Sequence, residues 1–120
     1  MSRGRATSME ADLAAWGKAL VLETVGRISG EPRRVTIGFI EEADGTLLVA
    51  AGDTDTQWAR NLQAQPACHA ELNGSRSAFR ADPLGETDKA RAVTALILRY
   101  GAPAERLGDG PAFRLVPLDA

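Results

Sequence analysis

The 120-residue chain predicts an α+β fold, a small six-stranded antiparallel β-barrel with flanking helices. Three observations lead there. Apolar runs of strand length recur six times, a short helical segment crosses over after the third, and alternating βα units are absent. Six strands within about 110 residues fit a small barrel better than a sandwich. The glycine patterns of dinucleotide- and nucleotide-binding sheets (GxGxxG and the P-loop) are also missing.

Residues 1–8 read as a flexible N-terminal tail and 9–120 as one domain. From Met9 to Lys18 the apolar spacing Met9, Leu13, Trp16, Leu20 predicts an amphipathic helix anchored by Trp16. A first strand runs over Leu20–Val25, a glycine- and arginine-rich turn follows, and a second strand runs over Arg34–Glu41. Asp44-Gly45 is a hairpin signal leading into a third strand, Thr46–Ala51, apolar enough to be covered on both faces. Asp55 is placed to cap a helix over Thr56–Ala64, which Pro66 stops. Ala67–Leu72 alternates, with Cys68, Ala70 and Leu72 facing one way and His69 and Glu71 the other. Asn73-Gly74 turns the chain into a strand over Arg76–Ala81, which Asp82-Pro83-Leu84-Gly85 breaks. The longest helix spans Glu86–Tyr100, with Val93, Leu96, Ile97 and Tyr100 as its buried stripe and Gly101 as its stop. Ala102–Gly110 reads as loop, and Pro111–Leu118 as the last strand.

Composition narrows the function classes. A net charge of −2 gives no general affinity for nucleic acid. One cysteine, Cys68, rules out an internal disulfide, and one histidine, His69, rules out a histidine-rich metal centre, so no metal is expected. No apolar run approaches the roughly 20 residues of a membrane-spanning helix. The first eight residues lack an apolar stretch behind their basic charge, so a cytoplasmic protein is the expectation.

Anion recognition must therefore be local, and the densest basic cluster is Arg27, Arg33 and Arg34 in the turn Thr24–Arg34. Guanidinium forks beside glycine-flanked backbone N–H groups suit phosphate or carboxylate. The other reading of this turn is an ordinary hairpin with solvated arginines. Cys68 reads as an inert small hydrophobe and His69 as a partly exposed strand residue. Asp53 and Asp55 read as loop and cap residues, and Arg99, Arg106 and Arg114 as scattered surface charges.

Two segments carry a family resemblance. Leu22–Arg33 resembles the L-x-T-x-G-R-x-S-G-x-P-R signature of deazaflavin-dependent nitroreductases, and Trp58–Pro66 is similar to their W-x-x-N-L-x-A-x-P segment. The following strand, the Asn-Gly turn and the terminal Phe113–Leu118 match in type, so the resemblance covers roughly residues 18–118. It implies a split β-barrel of the FMN-binding type and a homodimer. It also implies an oxidoreductase that takes a hydride from reduced coenzyme F420, an 8-hydroxy-5-deazaflavin with a phospholactyl-polyglutamate tail. The acceptor would be a small molecule, a quinone, nitroaromatic or other conjugated compound. On this resemblance Arg27, Ser29 and Arg33 take the phosphate and tail side, and Trp58 and Asn61 stand at the start of the helix that closes the groove; Gly30 and Arg34 of the same turn are cofactor-binding candidates beside them. Tyr100 is the candidate donor near the acceptor, or else simply completes the buried face of its helix. The chain departs from many relatives in carrying Ile28 after the signature's first arginine, and two carboxylates in the loop Gly52–Gln57. Those departures keep two alternatives in view: an FMN-dependent relative, and a non-catalytic barrel that carries flavin, haem or fatty acid.

Overall fold

The computed structural model describes residues 19–101, 107 and 109–118. The expected helix over Met9–Lys18, the 1–8 tail and most of the 102–110 loop lie outside the described residues. The elements are β1 (Leu20–Val25), β2 (Pro32–Ile37), β3 (Ile40–Glu41), β4 (Leu47–Ala50), α1 (Gln57–Ala64), β5 (Ala67–Leu72), β6 (Ser75–Pro83), α2 (Glu86–Tyr100) and β7 (Ala112–Pro117). The strands form one sheet in the order β2-β1-β5-β6-β7-β4-β3, and every pairing is antiparallel.

The sheet has seven strands, not six, because the run Arg34–Glu41 is broken at Gly38-Phe39. Its two halves become the opposite edges of the sheet, β2 and β3. Ile37 and Ile40 are three residues apart, at most about 11 Å along the chain. The sheet must therefore curl until its two edges nearly meet. Tyr100 holds that seam. Its hydroxyl accepts from the Phe39 backbone N–H (3.1 Å) and donates to the Phe39 carbonyl (3.2 Å). A Cβ on Gly38 would stand 2.9 Å from the Tyr100 ring, so the close approach requires glycine. The Arg99 guanidinium lies 4.7 Å above the Phe39 ring and 5.3 Å from that of Tyr100.

Inside the curl lies the main core, including Leu20, Leu22, Phe39, Leu47, Val49, Leu62, Phe113 and Leu115. A second cluster, Ala50, Leu96 and Ala112 with Val93, Ile97 and Tyr100 against it, docks α2 on the outer face. β4 is buried at all four positions because it separates these clusters, as its unbroken apolar run predicts.

Three further boundaries differ from the sequence reading. β2 begins at Pro32, because an edge strand tolerates the missing N–H. β6 continues through Asp82 and Pro83, which pair with Arg114 and Phe113 of β7, so a proline at the strand's last residue does not break it. Thr56, not Asp55, occupies the cap position of α1, with no side-chain cap bond. The ordering carboxylate is that of Asp53, which accepts from the Asp55 N–H (2.8 Å) and the Thr56 hydroxyl (3.3 Å).

Candidate functional site

β1 and β2 are joined by a six-residue loop, Gly26 to Glu31, closed by its own backbone. Gly26 N–H donates to the Glu31 carbonyl (2.8 Å), and Gly30 N–H donates to the Gly26 carbonyl (2.7 Å). Gly30 takes φ +75, which accounts for a glycine there. Gly26 is buried, and a Cβ on it would stand 2.7 Å from Ser29 Oγ and 3.0 Å from the Glu31 carbonyl oxygen. The loop lies beside α1, and the two enclose a cleft of about 470 Å³. Its lining runs from Thr24 and Val35 at the base, past Trp58 and Asn61 on α1, to Arg27, Ile28, Ser29 and Arg33 on the loop side.

A hydrogen-bonded chain joins the two walls. Thr24 is the one polar residue on the inward face of β1 and is 1% exposed; its hydroxyl accepts from Asn61 Nδ2 at 3.1 Å. Asn61, 4% exposed, turns its Oδ1 outward to the Arg27 backbone N–H (3.2 Å) and to Arg27 Nη1 (2.8 Å). Arg27 Nη2 donates in turn to Gln57 Oε1 at 2.9 Å. Gln57 and Asn61 lie four apart on α1 and so share one helix face. On the other side of the loop, Ser29 Oγ accepts from the Glu31 N–H (3.2 Å) and from Arg33 Nη2 (3.3 Å).

The electrostatic consequence is specific. Among the described residues neither Arg27 nor Arg33 has a carboxylate within ion-pair distance; both are held by neutral oxygens. Arg34 differs. It lines the cleft, but its guanidinium pairs with Glu71 (3.2 Å) in an outer-face network in which Arg76 grips Glu23 at 2.7 and 3.2 Å. The Arg76 hydrogen bonds hold the Glu23 carboxyl below its usual range. The alternation of β1 and β2 explains the split, since Arg33 is in register with Thr24 while Arg34 is in register with Glu23.

The structure thus brings Arg27, Ser29, Arg33, Arg34, Trp58 and Asn61 to one cleft. Gly30 shapes the loop without lining the cleft. Tyr100 stands apart, at the β2–β3 seam. Neither Asp53 nor Asp55 lines the cleft, and the Asp53 carboxylate is turned into its own loop. Thr24, Gly26, Val35 and Gln57 are the additions. Thr24 was signalled by a lone polar residue in an apolar alternation, and Gln57 by its four-residue spacing from Asn61. The Trp58 indole is braced from behind by Phe113, with ring centroids 6.2 Å apart. Cys68 is buried, which pushes its thiol up to about 11.

The cleft thus combines an apolar surface with two guanidiniums, Arg27 and Arg33, that pair with no carboxylate among the described residues. The F420-H(2)-dependent quinone reductase family profile matches residues 3–106. The chain belongs to that family. It is accordingly an oxidoreductase, and its cofactor is coenzyme F420. No curated protein matches it. Among solved structures, it resembles an F420-H2 dependent reductase (FDR-A) at 22% identity and TM-score 0.69, covering 82% of this chain and 93% of that one. A structure described as a domain-swapped dimer is similar at 18% identity and TM-score 0.68, covering 96% and 99%. HutZ, the haem storage protein from Vibrio cholerae, is similar at 19% identity and TM-score 0.65, covering 94% and 90%. At these identities the three share the fold, a split barrel. Among the described residues no helix is long and apolar enough to cross a membrane.

Proposed function

We propose that this reductase delivers its hydride to a quinone, and that the cleft between the β1–β2 loop and α1 is where it does so. The composition of the cleft lining carries the reading. Trp58, Val35 and Ile28 supply an apolar surface, Arg27 and Arg33 supply charge, and among the described residues no Asp, Glu, His, Cys or Tyr lines it. When bound, the deazaflavin supplies the hydride. The chain's own residues bind and orient. Arg27 and Arg33, with Ser29 and Arg34 beside them, hold the phosphate and carboxylates of the tail. Trp58 and Val35 cover the ring and keep water from it. Asn61 fixes Arg27 rather than touching the cofactor.

A lining in which no described residue is a side-chain acid favours one class of acceptor. A quinone that has taken up a hydride is a hydroquinone anion, which collects its proton from water. Reducing a nitro group breaks N–O bonds and needs protons delivered at the site. The reduced cofactor is therefore expected to turn over menadione faster than a nitroaromatic, followed by the gain of oxidised-cofactor absorbance and fluorescence under steady state. Faster turnover of the nitroaromatic refutes the quinone assignment. We read the functional unit as a homodimer, which light scattering after size exclusion tests.

A further inference from the structure

We infer that Gln57 is a positioning residue that makes the cleft selective for anionic ligands, by holding the Arg27 guanidinium without neutralising it. The inference rests on the anion site proposed above. Gln57 is exposed, so burial does not explain its geometry. Both ends of its amide are engaged. Nε2 donates to the Asp55 carbonyl at 3.0 Å, which orients the amide so that Oε1 meets Arg27 Nη2 at 2.9 Å. Asn61 Oδ1 takes Nη1 at 2.8 Å. Two neutral oxygens from one helix face thus grip the two terminal nitrogens of one guanidinium. A guanidinium has five N–H donors, so this grip leaves three for a ligand.

A glutamate at 57 would have the same shape and the opposite effect. Its carboxylate would pair with Arg27 where the amide now sits, and it could no longer donate to the Asp55 carbonyl. The rim would lose one positive charge of net attraction while the slot beneath, built by Val35 and Trp58, stayed as it is. Gln57 lies outside the W-x-x-N segment, immediately before Trp58. Arg27 is fixed by two residues, and only one of them is set by that segment.

The test compares wild type, Gln57→Glu and Gln57→Ala by fluorescence titration at low and high salt. The probes are oxidised F420, the ribityl deazaflavin that lacks its anionic tail, and inorganic pyrophosphate, followed through tryptophan emission. Gln57→Glu is expected to weaken F420 and pyrophosphate about fivefold at low salt, the upper end for one partly exposed ion pair. That gap should close as salt rises, and the tail-less deazaflavin should bind as to wild type. Gln57→Ala, which removes the grip but adds no charge, should weaken F420 about twofold and keep the wild-type salt dependence. Unchanged F420 affinity in Gln57→Glu overturns the inference, and so does equal loss of F420 and of the tail-less compound, which would mark a role in shape alone. Wild-type protein that binds pyrophosphate but not F420 refutes the cofactor site and leaves the fivefold criterion to be read on pyrophosphate. Wild type that binds neither overturns both.

Discussion

Replacing Asn61 by leucine, close to it in shape, would remove the joint between the two walls of the cleft. Three hydrogen bonds go with it: two from Arg27, at 3.2 and 2.8 Å, and one to Thr24, at 3.1 Å. A bond from a charged donor contributes about 1.5–3 kcal/mol and a neutral one about 1 kcal/mol. Arg27 is only half-buried and can recover water, so its share is taken at the low end. The Thr24 hydroxyl, 1% exposed, would lose the donor it now meets. The sum is a loss of about 3 kcal/mol, or about 12 °C in Tm at roughly 4 °C per kcal/mol for a domain of this size. Thr24→Val alone would leave Asn61 Nδ2 buried without its acceptor, at about 1.5 kcal/mol. The double variant removes both partners, and is expected to be no less stable than Asn61→Leu alone. Urea unfolding of the four proteins gives a coupling energy of about 1.5 kcal/mol between the sites. Losses that add to within about 0.5 kcal/mol, or an Asn61→Leu loss below about 1 kcal/mol, would refute the reasoning.

Other consequences can be measured on the same protein. Tyr100→Phe leaves the Phe39 N–H and carbonyl at the seam without their partner, and should lower stability by about 2 kcal/mol in urea while F420 affinity stays at the wild-type value. Gly38→Ala, which drives a methyl into the Tyr100 ring, should cost about 1–3 kcal/mol in the same assay. Glu23, held below the ordinary 4.5 by its bonds to Arg76, favours the folded state above that pH; the gain is lost as pH falls through the lower folded value. Acid unfolding followed by circular dichroism should therefore be shallower between wild-type midpoint and neutrality in Glu23→Gln, with the difference shrinking in high salt. Cys68 runs the other way. Its thiol is raised from 9.0 to about 11 in the fold, so its contribution is intact below pH 9 and fades as pH rises toward 11. Below pH 9 it should stay unreactive to a thiol reagent until urea unfolds the chain.

Local signals in the chain located much of this architecture. β1, β5 and α2 carry strong periodicity with clear stops, and their bounds match the pattern residue for residue. The Asn73-Gly74 turn is likewise written locally, with φ of 55 and 79. What could not be read depends on closure. Arg34–Glu41 is one β-branched run by pattern, and only a sheet whose edges meet splits it into β2 and β3. Tyr100 belongs to that event too: its hydroxyl is aimed by the position of Phe39, 61 residues earlier. At the site, the two motif segments placed the arginines and Trp58 because both flank one cleft. Asn61 was legible as a site residue but not as a joint, since its partners Thr24 and Arg27 lie 37 and 34 residues away. By composition alone the loop Gly52–Gln57 departs from the family pattern in its two carboxylates. The Asp53 carboxylate turns inward, and a residue string does not record that.

The central claim is that Arg27 and Arg33, held by neutral oxygens at the rim of an apolar slot, receive the anionic tail of F420. Fluorescence titration of F420 into wild type, Arg27→Ala and Arg33→Ala tests it most directly. Saturable binding by the wild type, weakened about tenfold or more in each variant at low salt, is the result expected when a charge-assisted contact worth about 1.5–3 kcal/mol is lost. Wild-type affinity retained in both variants would contradict it and move the cofactor's tail elsewhere on the barrel.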